Sequence, residues 1–362
     1  MNKMKILLTP GPVNITFAVR KALTSAEIHP REPEFNRLQQ EVRYGLLGVY
    51  GLHAKKFCSL VLTGSGTLAI EAMISSLVPE GSRVLVPVNG SCGERIKMIC
   101  ASHAIPVTSL EYGPGEEIKL KEIEQALAGD PGISHICVVH HESGTGRLND
   151  LKALGDLARK LKIKLLVDAV NSFGAEEIDF EGWEIAACAG SSDRCLHGAS
   201  GISFVICSRD GLEQTSGLQA RSVYMDLRGY FSFQERSSFL FTPAVQVLYA
   251  LSAALKEYRE HGGLKARKRE YERRWRLVRS LAVEAGLKPL LESGALACSL
   301  TAFSLPENAT YAQLHDWLKG EGFIIQGGQE GPAQSSFAIA TMGEVETLDI
   351  KRLFKALKGY HD

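Results

Sequence analysis

The sequence has no long hydrophobic run, no excess of charge of either sign and no paired cysteine spacing. No apolar stretch reaches the roughly 18 residues of a membrane-spanning helix. The apolar part of the N-terminal segment, MNKMKILLTPGPVN, is too short for a signal peptide. The 41 Lys and Arg residues balance the 41 Asp and Glu residues, so bulk charge favours neither nucleic acid nor an anionic membrane as a partner. We expect the eight scattered cysteines to be buried, reduced thiols of a cytoplasmic protein rather than disulfides or metal ligands.

With 362 residues, the chain is long enough for a large core and more than one domain. Short apolar runs alternate with helical periodicity, for example at residues 60–63, 84–89, 133–139 and 165–168. This alternation predicts an α/β fold with a mostly parallel sheet covered on both faces. We expect a large domain over residues 1–265 and a small C-terminal α+β domain over 266–362, with the N-terminal segment a candidate to pack on the small domain. Strands are predicted near 297–304 and 337–341, and helices near 311–319 and 347–358.

Polar turns follow several of the predicted strands, where ligands bind in open α/β sheets. Gly64-Ser65-Gly66-Thr67 lies between a strand and a helix; it is either a simple turn or a cup whose free N–H groups hold a phosphate. The sequence HHESGTG follows the strand that ends near residue 139. Its two histidines point to opposite faces of a strand, which argues against a metal site.

The most informative stretch is residues 163–201. An apolar run ends on Asp168, and a carboxylate at the end of a buried strand needs a partner. A second apolar run, 185–189, leads into the polar turn Gly190-Ser191-Ser192-Asp193-Arg194. The arginine-rich segment 265–279 is interleaved with glutamates, so a solvated amphipathic helix is favoured over a nucleic-acid-binding one.

These motifs, together with TPGPV near the N-terminus and the turn NGSCGER, resemble the class V (fold-type I) aminotransferases, which bind pyridoxal phosphate (PLP). The nearest likeness is to the alanine–glyoxylate and 2-aminoethylphosphonate–pyruvate aminotransferases. The resemblance implies a large domain with a mostly parallel, seven-stranded type of sheet and a small α+β domain. It also implies transferase chemistry with PLP or its amine form, PMP.

The resemblance assigns roles to particular residues. Asp168 would pair with the pyridine nitrogen, Ser143 would lie beside the ring, and Cys92 stands where the family has a stacking aromatic residue. The phosphate would be held by the groups Gly64, Ser65, Gly66, Thr67, Ser191, Asp193 and Thr242. In the family the Thr-Pro element reaches the neighbouring subunit's phosphate, which implies a homodimer with shared sites.

Three positions depart from the family pattern. Arg194 stands on the Schiff-base lysine position, and a guanidinium cannot act as that amine because its pKa is above about 12. His197 is a weak candidate for an alternative base. Ala338 replaces the arginine that grips the substrate carboxylate, and the acid Asp193 replaces a neutral polar residue near the phosphate.

The departures lead to three hypotheses. The principal one is a diverged homologue that binds PLP, PMP or another phosphorylated ligand non-covalently and is not competent in ordinary lysine-dependent transamination. The first alternative is a working PLP- or PMP-dependent enzyme on an unusual amine or amino acid that uses another base. The second is a non-catalytic interaction or regulatory protein. The sequence identifies no particular substrate.

Overall fold

The structure is a computed structural model that describes residues 5–292, 294–306, 309–328 and 335–361. The strands are β1 Ile6–Leu8, β2 Phe57–Thr63, β3 Arg83–Val88, β4 Val107–Glu111, β5 Ile133–Val139, β6 His141–Glu142, β7 Arg147–Leu148, β8 Lys164–Asp168, β9 Ile185–Ser191, β10 Ile202–Ser208, β11 Leu300–Ser304, β12 Phe323–Gly327 and β13 Ser336–Ala340. The helices are α1 Phe17–Ala22, α2 Pro33–Gly48, α3 Gly66–Leu77, α4 Ser91–Ser102, α5 Leu120–Gly129, α6 Leu151–Leu161, α7 Arg209–Glu213, α8 Leu227–Gln234, α9 Val245–Glu260, α10 Gly263–Glu284, α11 Tyr311–Gly320 and α12 Thr347–His361.

The large sheet has seven strands in the order β2-β10-β9-β8-β5-β3-β4. Only β10 runs antiparallel to its neighbours, so the predicted mostly parallel sheet is confirmed. The inner strands are almost continuously apolar because helices cover both faces. The carboxyl ends of β2, β3, β5, β8 and β9 therefore meet along one edge of the sheet.

The small sheet has the order β1-β12-β13-β11 and packs against α10, α11 and α12 through a separate apolar cluster. Strand β1 comes from the N-terminus and pairs in parallel with β12. The predicted domain boundary at 265/266 lies inside helix α10, which runs without a break across it. The boundary therefore remains a prediction.

The predicted strand near 297–304 begins only at Leu300. The backbone N–H groups of Ala297 and Cys298 donate instead to Gly146 and to the Glu176 carboxylate of the large sheet's loops. These residues therefore join the two sheets rather than extend the small one. The strand at 337–341 and the helices at 311–319 and 347–358 are confirmed with shifted ends.

The basic helix α10 uses several of its cations within the chain. Arg274 donates to the backbone carbonyls of Thr341 and Gly343, and Lys268 lies 3.3 Å from the buried Glu176 carboxylate. The exposed side of the helix carries intrahelical ion pairs such as Arg276–Glu272. The helix is therefore amphipathic as predicted, but its inner cations hold the small sheet to the large domain.

All eight cysteines are buried and unpaired, as predicted. Within the described ranges, no helix is long and apolar enough to cross a membrane.

Candidate active site

Asp168 occupies the centre of the sheet edge at which the carboxyl ends meet. Its side chain is 3% exposed, and Oδ1 accepts the backbone N–H of Val170 at 3.0 Å. Burial raises the carboxyl pKa to about 6, while the Val170 N–H and the guanidinium groups of Arg95 and Arg194 oppose this rise. A desolvated carboxyl group suits a ligand that brings its own positive hydrogen-bond donor.

The Gly64–Thr67 turn opens helix α3 beside Asp168. The N-cap residue Ser65 makes no side-chain capping bond. A Cβ atom on Gly66 would lie 2.8 Å from the Val170 methyl groups and 3.3 Å from Ser191 Cβ. The close approach requires glycine at this position, and it sets the positive end of α3 against the end of β9.

Asp193 is the hydrogen-bond acceptor at the centre of the turn after β9. Ser191 Oγ donates to Oδ1, and Ser200 Oγ donates to Oδ2 at 2.8 Å. Arg194 Nη1 lies 2.8 Å from the same Oδ2. Both carboxylate oxygens of Asp193 are therefore bonded within the chain.

Arg194 packs its guanidinium group on the N-terminal Thr9-Pro10-Gly11-Pro12 turn. A Cβ atom on Gly11 would lie 1.6 Å from Nη1 and 2.1 Å from Cζ of Arg194. The Nε atom of Arg194 is buried and has no hydrogen-bond partner among the described residues. The absence of a side chain at Gly11 thus makes room for the large residue at position 194.

Cys92 and Ser143 are in direct contact, with Sγ and Oγ 3.7 Å apart. The Cys92 backbone N–H donates to the buried Glu142 carboxylate at 3.1 Å, which anchors the start of α4. Burial, and secondarily the nearby Glu142 charge, raises the pKa of the Cys92 thiol well above its usual range. The thiol is therefore a small neutral group and not a nucleophile.

His197 lies three positions beyond Arg194 but points to the small domain. Its Nε2 atom accepts the backbone N–H of Gly343 at 2.9 Å and lies 2.6 Å from the Tyr271 hydroxyl. Burial, followed by the positive charges of Arg267 and Arg274, lowers its pKa well below the usual range. His197 is thus a neutral acceptor whose lone pair is already engaged.

Ala338 and Thr242 lie on separate elements, Ala338 in β13 and Thr242 in the segment before α9. Ala338 borders a narrow crevice whose other wall is Ser143-Gly144, and it pairs with Gln326 of β12. Thr242 is exposed on the segment before α9, which is tied to the sheet edge by the Ala244 N–H bond to Thr63 Oγ1.

The structure brings together Asp168, the Gly64–Thr67 turn, Ser191, Asp193, Arg194, Cys92 and Ser143. Gly11 and Ser200, which contact this group, were missed by the sequence analysis. Gly11 stands in a turn motif that carried a signal, but its contact with residue 194 depends on the tertiary fold. No group of three or more metal-ligating side chains occurs in the described part of the chain.

The sequence profile of the family described as Aminotransferase class-V matches residues 18–343 of this chain. The 2-aminoethylphosphonate–pyruvate transaminase of Bacillus cereus is 33% identical over 355 residues, which cover 97% of this chain and 96% of that protein. The chain belongs to the class V aminotransferases. A similar transaminase from Pseudomonas aeruginosa is 32% identical over 97% of this chain and 95% of its own length.

Solved structures agree with this class V assignment. An aspartate aminotransferase of subgroup IV from Thermus thermophilus is 28% identical, with a TM-score of 0.88 over 98% of both chains. An alanine–glyoxylate aminotransferase from Nostoc sp. has a TM-score of 0.93 over 100% of this chain and 96% of that one. At 23% identity, the second likeness concerns the fold alone. The predicted fold-type I architecture is confirmed.

The principal functional hypothesis was wrong in expecting a homologue not competent in ordinary transamination. The relatives that match nearly the whole chain are named as transaminases, which favours the alternative of a working enzyme. The substitutions at Arg194, Cys92 and Ala338 change single positions, whereas the rest of the chain matches the transaminases over nearly its whole length.

The family makes PLP or PMP the implied cofactor, and the residues fit it at one end of the site. The desolvated Asp168 carboxyl suits a protonated ring nitrogen. At the other end, the hydroxyl groups of Ser191, beside the start of α3, and of Ser200 are already bonded to the Asp193 carboxylate. The site thus fits the ring of the cofactor, but its phosphate would approach a negative charge that the chain itself supplies.

Proposed function

We propose that this chain is a working class V aminotransferase that transfers an amino group between a small amine or amino acid and a 2-oxo acid such as pyruvate. The observation that carries the proposal is Asp168, a buried carboxyl with a raised pKa at the sheet edge of a chain related over nearly its whole length to transaminases. The names of these relatives suggest aminoethylphosphonate and pyruvate as the first substrates to test.

Asp168 would bind and orient the ring of the cofactor. Its second oxygen, Oδ2, would accept the ring N–H, while Oδ1 keeps its bond to Val170. A bound PLP or PMP supplies the amino-group carrier and the electron sink. Ser143 and Cys92 would contact the ring, and the small thiol provides less stacking surface than an aromatic residue.

The base of this enzyme would be a group other than Arg194. A guanidinium stays protonated, and in this chain it is bonded to Asp193. His197 could accept a proton at Nε2 only if the Gly343 N–H moved away, which requires the small domain to shift. Use of His197 as the base would therefore make the reaction depend on movement of the small domain.

The amine donor would not depend on a carboxylate clamp at position 338. Ala338 brings no charge to the crevice beside Ser143, and its neighbour across the strands is the neutral Gln326. A donor with a carboxylate would therefore find no cation to pair with at position 338.

We further propose a homodimer with shared sites. Thr242 is exposed, and beside it the Phe241 ring stacks on Tyr224 at 4.9 Å. The neighbouring Val223 is 81% exposed, so this surface carries apolar groups that a partner subunit would cover. Sedimentation at micromolar concentration should give about twice the chain mass of 39.5 kDa; a monomer would refute the shared-site arrangement.

The function is tested by a half-reaction. The purified protein is incubated with PMP or pyridoxamine and isotopically labelled pyruvate, and labelled alanine is measured by mass spectrometry. A donor panel with aminoethylphosphonate and simple amines follows. We expect alanine formation by the wild type and its loss in Asp168→Asn, with Asp150→Asn as the exposed-carboxylate control. Binding of PMP or pyridoxamine without any amino transfer to pyruvate, glyoxylate or phosphonoacetaldehyde would refute the proposal.

A further inference from the structure

The Asp193 carboxylate has the surroundings of a bound anion. It is mostly buried, and it receives the hydroxyl protons of Ser191 and Ser200 together with the Nη1 donor of Arg194. Two hydroxyl groups and a guanidinium around an uncapped helix start are donors that proteins often use for a phosphate. In this chain those side-chain donors are directed to a carboxylate of the protein.

The location of this network matters because Ser191 adjoins the start of α3. Its Cβ lies 3.3 Å from the position that a Cβ on Gly66 would take. A phosphate at the Gly64–Thr67 turn would thus lie within a few ångströms of the Ser191–Asp193 pair. The phosphate would compete with Asp193 for the serine hydroxyl protons. It would also be repelled by the Asp193 carboxylate, and at this distance such repulsion costs several kcal/mol even at a moderate effective dielectric.

Arg194 does not remove this conflict. Its guanidinium is bonded to Asp193 and packs on the Gly11 turn, so it offsets part of the Asp193 charge but is not free to pair with a second anion. Its buried Nε has no partner, but the Nη1 donor nearest the network is used. An arginine and two serines that are already bonded to a carboxylate stabilise a phosphate much less than the same groups would if they were free.

We propose that Asp193 takes the place of the ligand's anion, so that the site prefers a B6 vitamer with a neutral hydroxymethyl group, pyridoxamine or pyridoxal, over the 5′-phosphates. The inference rests on the proposed function for the ring-binding role of Asp168. It assigns the acid at position 193 as the residue that determines which vitamer is bound.

The test is the ratio of the dissociation constants of pyridoxamine and PMP, measured by isothermal titration calorimetry. It compares the wild type, Asp193→Asn and Glu184→Gln. Glu184 precedes β9 as Asp193 follows it, and it pairs with Lys164 and Arg159, so Glu184→Gln removes the same charge at the other end of the same strand. Circular dichroism and thermal melting check that each variant is folded.

We expect the wild type to bind pyridoxamine at least as tightly as PMP. Asp193→Asn should shift the ratio towards PMP by roughly 10²-fold, as expected for removing a like charge several ångströms away at an effective dielectric near 20. Glu184→Gln should leave the ratio within about twofold. Wild-type protein that binds PMP tenfold more tightly, or an unchanged ratio in folded Asp193→Asn, overturns the inference. Amino transfer from PMP together with such a ratio would leave the proposed function intact, whereas vitamer binding without amino transfer would refute that function alone.

Discussion

Replacement of Asp168 by Asn should stabilise the ligand-free protein at neutral pH. Burial shifts the pKa of the Asp168 carboxyl from an ordinary 3.8 to about 6, so the folded state favours the protonated form. The charged form is therefore a cost to the folded state, which is absent below about pH 4 and complete above pH 6. At about 1.4 kcal/mol per pKa unit, the cost at pH 7.5 is roughly 3 kcal/mol.

Asparagine keeps the shape of the side chain and can still accept the Val170 N–H with Oδ1. It removes the charge and so removes the cost. Melting curves from pH 4 to pH 8 should therefore show Asp168→Asn and wild type together at pH 4 and separated at pH 7.5, with the variant the more stable. Asp150→Asn is the matched control, because Asp150 is exposed and its Oδ1 likewise accepts a backbone N–H, that of Ala153, at 2.9 Å.

A saturating concentration of pyridoxamine or PMP should reduce this stability difference or abolish it at pH 7.5. A ring N–H bonded to an ionised carboxylate contributes roughly 1.5–3 kcal/mol, and asparagine cannot provide that charge-assisted bond. Without ligand, the melting temperatures of wild type and Asp168→Asn could instead depend on pH in the same way, or the variant could be the less stable protein at pH 7.5. Either result would refute the assignment of Asp168 as a carboxyl group whose charged form destabilises the ligand-free protein.

Three further predictions concern the turn that carries Arg194. Arg194→Lys with PLP should give a borohydride-stable adduct on the peptide that contains residue 194. Adding Ala338→Arg should raise kcat/KM for donors with a carboxylate by roughly 10²–10⁴-fold. A missing adduct, or equal activity of the single and double variants, would contradict the assigned positions. Gly11→Ala should displace the guanidinium and destabilise the wild type by about 1–3 kcal/mol but cost much less in an Arg194→Ala background, because the clash is with that side chain; additive unfolding free energies in a double-mutant cycle would exclude the contact. His197→Ala should lower stability by about 1–3 kcal/mol because it leaves the Gly343 N–H without its acceptor; an unaltered melting temperature with a collapse of kcat would instead make the imidazole a base.

Local sequence patterns predicted the sheet and most of the site because each pattern is a property of consecutive residues. Apolar runs of buried strands are recognisable without partners, and the turns after them include Asp168, Ser143 and the Gly64–Thr67 cup. Parallel strands then bring their carboxyl ends to one edge, so turns far apart in the chain converge without further information.

The partners of these groups depended on the tertiary structure. Ser200 bonds to Asp193 because a loop folds back over the end of β9, and Gly11 meets Arg194 across more than half of the chain. His197 was a possible base in the sequence, but the fold directs its Nε2 to the Gly343 N–H of the small domain. A residue type sets which protons and charges a side chain can offer, whereas burial and the neighbours brought by folding decide its pKa and its bonds.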